Sequence, residues 1–88
     1  PLRLMRSDGG VATPAAAREN PVNMLLSGPA GGVIAGAAVS VELAVPDIVT
    51  FDMGGTSADF SLIVAGEPRM VSARVVDGQP LRMPTLDI

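Results

Sequence analysis

Two runs of β-forming residues flank a pair of glycines, and that arrangement constrains this chain more than any other. Asp47-Ile48-Val49-Thr50 leads into Phe51 and reads as a buried strand. Phe60-Ser61-Leu62-Ile63-Val64 reads as a second strand. Between them, Asp52-Met53-Gly54-Gly55-Thr56-Ser57-Ala58-Asp59 must turn the chain with a carboxylate at each end. Glycines let backbone N–H groups turn outward and a ligand approach closely, and successive amides of this kind form an anion-binding nest. Asp52, at the carboxyl end of a strand, is placed to hold a hydrated divalent cation, and Thr56 to donate its hydroxyl to a phosphate oxygen. The stretch reads as a phosphate-and-magnesium loop. The alternative is a tight Gly-Gly hairpin in which Asp59 and Thr56 bond only to backbone.

Other phosphate loops are excluded. A Walker A loop needs G-x-x-x-x-G-K-[ST], and the chain has no lysine. A dinucleotide fingerprint needs a helix after its glycines, whereas a strand follows here. The absence of His and Cys removes a Ser-His-Asp triad, a thiolate nucleophile and an ordinary zinc site from this segment. Six basic against nine acidic residues, with no Trp or Tyr to stack on bases, argue against nucleic-acid binding. No apolar run of about 18 residues suggests a membrane span, and no basic-then-apolar leader opens the chain. A soluble chain in a reducing cytoplasm is the expectation.

Eighty-eight residues make at most one small domain, which buries only a modest share of its surface. Yet 48% of the residues are hydrophobic, most of them small, and only Phe51 and Phe60 are aromatic. A self-sufficient small domain carries larger core residues or staples. The economical expectation is one partial domain, residues 1–88, of a larger α/β protein, with faces that other parts would cover and through which the piece self-associates. Pro1 without an initiator methionine, and an end at Thr85-Leu86-Asp87-Ile88 without a terminating signal, agree with that expectation.

Taken in order, Leu2–Arg6 alternates apolar and basic residues like a short strand, and Ser7-Asp8-Gly9-Gly10 turns the chain. Thr13 suits a helix N-cap and Pro14 the first helical position, and Asn20-Pro21 ends that helix. Val22–Leu26 reads as a strand. A long helix follows over about 29–45, with Ile34, Ala37, Ala38, Val41 and Val45 on one stripe. Gly28, Gly32, Gly36 and Ser40 recur every four residues. Close packing explains Gly36 and Ser40, whereas Gly31 and Gly32 are expected in a first turn where free N–H groups favour an anion. After the loop, Phe60, Leu62 and Val64 oppose Ser61, Ile63 and Ala65. Arg69–Asp77 reads as a returning strand with Val71, Ala73 and Val75 opposite Ser72 and Arg74, and Leu81–Met83 as a last strand. A helix between Val22–Leu26 and Ile48–Met53 implies a parallel, right-handed crossover, followed by an antiparallel meander in one mixed sheet.

A strand ending in Asp, then Gly-Gly-Thr-x-x-Asp and a hairpin, resembles the phosphate loop of the actin, hexokinase and heat-shock chaperone ATPase superfamily. A closer resemblance is to the hydantoinase A / 5-oxoprolinase family, which includes acetone-carboxylase-type subunits. It rests on Ser7-Asp8-Gly9-Gly10, on Leu26-Ser27-Gly28-Pro29-Ala30-Gly31-Gly32-Val33 and on Thr50-Phe51-Asp52-Met53-Gly54-Gly55-Thr56-Ser57-Ala58-Asp59, with Pro84–Ile88 also family-like. It spans essentially the whole chain.

The resemblance implies a fragment of a ribonuclease H-like, actin-like ATPase domain around the second phosphate loop. It implies ATP and Mg²⁺ as cofactors, a second subunit as partner, and ATP-dependent opening of cyclic amides such as hydantoins or 5-oxoproline. The terminal phosphoryl group would pass to a substrate carbonyl oxygen, a reaction that asks for positioning and charge stabilisation. Asp52 would hold magnesium through water. Gly54, Gly55 and Thr56 would cradle phosphates, with Gly31 and Gly32 nearby, and Asp59 would orient the loop or a water. The first loop, the adenine pocket and the substrate pocket lie outside these residues, so the segment alone is expected to be inactive. The other readings are an actin-like module whose ATP use drives conformational change, an acetone-carboxylase-type subunit, and a purely structural piece whose loop is vestigial.

Overall fold

Helix α1 (Pro14–Glu19) starts where local chemistry places it. The Thr13 hydroxyl accepts from the Ala16 N–H, Pro14 takes the first position, and Asn20 closes the helix. It follows a two-strand ribbon, β1 (Leu4–Met5) with β2 (Val11–Ala12), turned by Asp8-Gly9-Gly10. That turn is structural. Asp8 accepts from the Gly10 N–H and pairs with Arg6 at 3.1 Å. The computed structural model describes all of residues 1–88.

The strand expected at Val22–Leu26 is not formed. Pro21–Met24 is a 3₁₀ turn, and its donors are spent locally: Asn23 N–H bonds Asn20 O, and Leu25 N–H bonds Val22 O. Pro21 has no N–H for a ladder, and its fixed φ suits the first position of a turn. The parallel crossover therefore does not exist, and every ladder in the fold is antiparallel. The architecture is α/β with small antiparallel sheets. Leu26 then adopts a left-handed conformation, φ 63°, between the 3₁₀ turn and helix α2 (Ser27–Glu42).

Strands β3 (Ile48–Met53) and β4 (Ala58–Val64) form the main hairpin, and β5 (Glu67–Pro68) adds to β4. The register places Ile48 opposite Ile63, Thr50 opposite Ser61, Phe51 opposite Phe60 and Asp52 opposite Asp59. Helix α2 packs on the face carrying Ile48, Thr50, Ser61 and Ile63. Gly36 permits the approach, because a Cβ there would lie 2.6 Å from the Thr50 methyl. Packing is thus the reason for Gly36, and for Ser40, which is 1% exposed with its hydroxyl bonded to the Val45 carbonyl. The buried face of α2 holds Ala30, Val33 and Ser40, with Ile34 and Ala37 partly covered. The expected stripe through Val41 and Val45 is wrong by a rotation, since Val41 is 71% exposed.

The expected single strand over Arg69–Asp77 is broken in two. Strand β6 (Met70–Val71) pairs with β9 (Thr85–Leu86), while β7 (Arg74–Val76) pairs with β8 (Gln79–Leu81). Its faces are also reversed, with Arg74 half-buried and Val75 outside. The last residues go inside instead of trailing. Leu86 joins Ala30, Val33 and Ile63 in the core, and its N–H bonds Ser7 O. Covering side chains of this size contributes about 1.5–3 kcal/mol each. The core is thin, with 9 of 88 residues buried, so most apolar surface stays uncovered.

Candidate functional site

Period-two alternation sends Ile48, Thr50 and Asp52 of β3 to one face, and Asp59, Ser61 and Ile63 of β4 to the same face. Near the glycine turn the apolar members give way to Asp52 and Asp59, directly opposite each other across the ladder. Paired residues of an antiparallel ladder have Cα atoms about 4.5–5.5 Å apart, and like charges so placed repel. Neither carboxylate has a basic partner; the ion pair in the structure is Arg6–Asp8.

The pair borders a cleft of about 330 Å³. Its walls are Thr50, Phe51, Asp52 and Asp59 from the hairpin, Pro29, Gly32 and Val33 from the start of α2, and Ile88 from the final segment. The cleft exists because α2 tapers here. A Cβ on Gly28, Gly31 or Gly32 would meet nothing within 4 Å, unlike one on Gly36.

Of the residues singled out from sequence, the structure thus brings together Asp52, Asp59 and Gly32. Gly31 does not line the cleft. Helix α2 starts at Ser27, earlier than expected, so Gly31 and Gly32 fall in its second turn. Amides there are committed to carbonyls four residues back, and what Gly32 offers is room rather than a donor. Gly54, Gly55 and Thr56 form the exposed hairpin tip outside the cleft walls. Gly54 N–H is bonded to Ser57 O at 3.0 Å, and neither glycine adopts positive φ. In this structure the tip is a closed turn with the carboxylates at its base.

Thr50, Pro29, Val33 and Ile88 were not anticipated. Thr50 was readable, since it lies two residues before Asp52 and shares its face. Ile88 was not, because nothing local shows that the last segment packs against α2 and β4.

The donor set suits a hydrated hard cation. Two carboxylate side chains stand together, with no third Asp, Glu, His or Cys beside them. Magnesium is commonly held by one or two carboxylates while keeping several waters or taking phosphate oxygens. No helix is long and apolar enough to cross a membrane.

No solved structure matches the chain. Among curated proteins it is 41% identical over 66 residues to the caprolactamase subunit alpha of Pseudomonas jessenii, covering 75% of this chain and 10% of that one. It is 44% identical over 86 residues to a 5-oxoprolinase of Pestalotiopsis fici, covering 96% of this chain and 6% of that one. It is 36% identical over 89 residues to the 5-oxoprolinase of Saccharomyces cerevisiae, covering 99% of this chain and 7% of that one. The chain therefore spans a tenth or less of the length of these three relatives. The family model for hydantoinase/oxoprolinase proteins matches residues 1–88 throughout, and the chain belongs to that family.

Proposed function

We propose that this segment forms one wall of the magnesium–nucleotide site of an ATP-dependent enzyme that opens cyclic amides. The observation that carries the reading is the Asp52–Asp59 pair, unneutralised by any basic side chain and facing the open Gly32 flank of α2. Two like charges held opposite each other repel, and a divalent cation between them would offset that repulsion. The relatives' names point to the substrate class, since caprolactam and 5-oxoproline are both cyclic amides. The actin-like ATPase frame belongs to this proposal as the setting in which a second phosphate loop would complete the site.

In this reading Asp52 holds the cation through water, and Asp59 shares that charge or fixes one of the waters. Gly32 leaves room beside them, and Thr50 offers a hydroxyl at the cleft floor. Gly55 and Thr56 keep donors at the hairpin tip that a phosphate could use once the tip opens, and Gly54 would have to release Ser57. Bound as its magnesium complex, ATP would supply a phosphoryl group that makes a stable amide carbonyl open to attack. The printed name "subunit alpha" on one relative supports a second subunit as partner.

The test is ADP release from magnesium-ATP by a full-length family polypeptide carrying this segment, with and without hydantoin, 5-oxoproline or caprolactam. Release that rises with a ring and disappears in Asp52→Asn supports the enzyme. Ring-independent release would support a conformational ATPase. No release with any ring, despite measurable ATP binding, would support an acetone-carboxylase-type subunit or a conformational ATPase instead.

A further inference from the structure

We infer that Arg74 is a positioning residue for the cleft, acting through the final segment. The inference rests on the nucleotide-site reading for its ligand, but its structural part stands apart from it. Ile88 is one wall of the cleft, next to Asp59, Thr50 and Val33. It lies two residues past β9 and packs beside the core cluster of Ala30, Val33, Ile63 and Leu86. A set of side-chain bonds to backbone carbonyls adds to that packing. The Arg74 guanidinium donates to Leu86 O at 3.3 Å and to Ile88 O at 3.2 Å. The Ser61 hydroxyl donates to Asp87 O at 2.9 Å, so three successive carbonyls are fixed. Asp87 N–H completes the clamp by bonding Arg69 O.

The geometry favours arginine. Its planar fork reaches two carbonyls on alternate residues at once, whereas a lysine ammonium is a single point on a flexible stem. Arg74 Nε is buried without a partner, so the side chain is committed to this position despite one unmade bond. Ser61 sits on the same face of β4 as Asp59, two residues away. The strand that presents a cleft carboxylate therefore also anchors the segment carrying Ile88. Cleft shape and order in residues 85–88 are thereby one coupled property, and the coupling is reciprocal: a ligand that binds the closed cleft orders the segment.

The test compares the wild type with Arg74→Lys and Arg74→Met, and with Ser61→Ala as an independent route to the same clamp should the Arg74 variants fail to fold. Two readouts are taken. In the ligand-free full-length polypeptide carrying this segment, with selectively labelled amides, amide exchange at Leu86 and Asp87 and the amide resonances of Gly32 and Thr50 are followed. The expectation is faster exchange at Asp87 with shifted Gly32 and Thr50 resonances, larger in Arg74→Met than in Arg74→Lys. Unchanged Gly32 and Thr50 resonances alongside faster exchange would overturn the inference, because the segment would then be loose without reshaping the cleft.

In the full-length polypeptide, magnesium-ADP affinity is measured with kcat and KM. The expectation is roughly tenfold weaker binding and raised KM in Arg74→Met, partial recovery in Arg74→Lys, and kcat changed far less than by Asp52→Asn. Equal affinity in all variants would overturn the coupling while leaving the nucleotide reading intact. No magnesium-ADP binding by the wild type, with the resonance shifts present, would remove the nucleotide reading and leave Arg74 as the positioner of the cleft wall.

Discussion

Gly36 lies so close to Thr50 that a Cβ on it would stand 2.6 Å from the Thr50 methyl and 3.4 Å from Ile63 Cδ1. Helix α2 and strand β3 are in contact through that one missing side chain. Gly36→Ala should destabilise the chain by about 1–3 kcal/mol, the range for overpacking, despite alanine's better helix propensity. Thr50→Ser removes the obstructing methyl and should recover part of the loss. Urea unfolding of the two single variants and the double variant measures the coupling, and simple additivity would show that this contact does not set the helix position.

Gly32→Ala is the contrasting substitution. Nothing lies within 4 Å of its added methyl, so alanine should stabilise α2 by up to about 1 kcal/mol. The same methyl projects toward the cleft and should weaken magnesium-nucleotide binding in the full-length polypeptide. Thermal melts and calorimetric titration report the two effects separately. Unchanged affinity would place the ligand away from Gly32.

The Asp52–Asp59 pair makes a prediction about salt and magnesium. Asp59→Asn removes one of two opposed charges, and should raise stability by about 0.2–1 kcal/mol at low ionic strength, with the gain shrinking as salt screens the pair. Millimolar magnesium should stabilise the wild type more than Asp59→Asn. Equal responses of the two proteins to magnesium would show that no cation is shared there. In the full-length polypeptide, the proposed reaction predicts that Asp52→Asn lowers turnover by roughly a hundredfold or more.

On the outward face of the β3–β4 hairpin stand Val49, Phe51, Met53, Phe60, Leu62 and Val64, each at least 40% exposed and none charged. Phe51 and Phe60 pair there at 4.8 Å between ring centroids. An apolar face of that extent avoids water, and the isolated 88-residue chain should self-associate through it. Leu62→Lys, with a charge at its centre, should restore a monomer in sedimentation velocity while α2 and its core stay intact. Monodisperse wild-type chain at high concentration would refute the prediction.

How much of this was legible in the sequence divides by range. The Thr13–Pro14 helix start, the Ser7–Gly10 turn and the β3-turn-β4 hairpin follow from neighbouring residues, and they stand as read. Both alternating sets of β4 contain large apolar residues, so the pattern shows a strand without showing which side is covered. The apolar run at Val22–Leu26 has strand composition. Pro21 and a left-handed Leu26 nevertheless bend it into a connection that hands Asn23 O to the Ser7 N–H. Thr85–Leu86 is two residues long and is buried wholly by distant partners. No local signal announces such a strand. In the cleft, the facing of Asp52 and Asp59 follows from strand alternation about the turn. Gly32, expected as a first-turn anion donor, instead lies in the second turn and leaves only room. The wall at Ile88 with its Arg74 clamp depends on chain closure.

That closure has a kinetic consequence. Leu86 N–H is bonded to Ser7 O, and the Leu86 side chain completes the cluster begun by Ala30, Val33 and Ile63. The core can therefore form only after residues from remote parts of the sequence have met. Loop-closure entropy must be overcome before any of that burial is gained, which slows folding relative to a local helical bundle. During synthesis, α2 and the β3–β4 hairpin emerge before Leu86, and until it arrives the part of the cluster that it covers stays open. For that interval the nascent segment exposes apolar surface that favours aggregation.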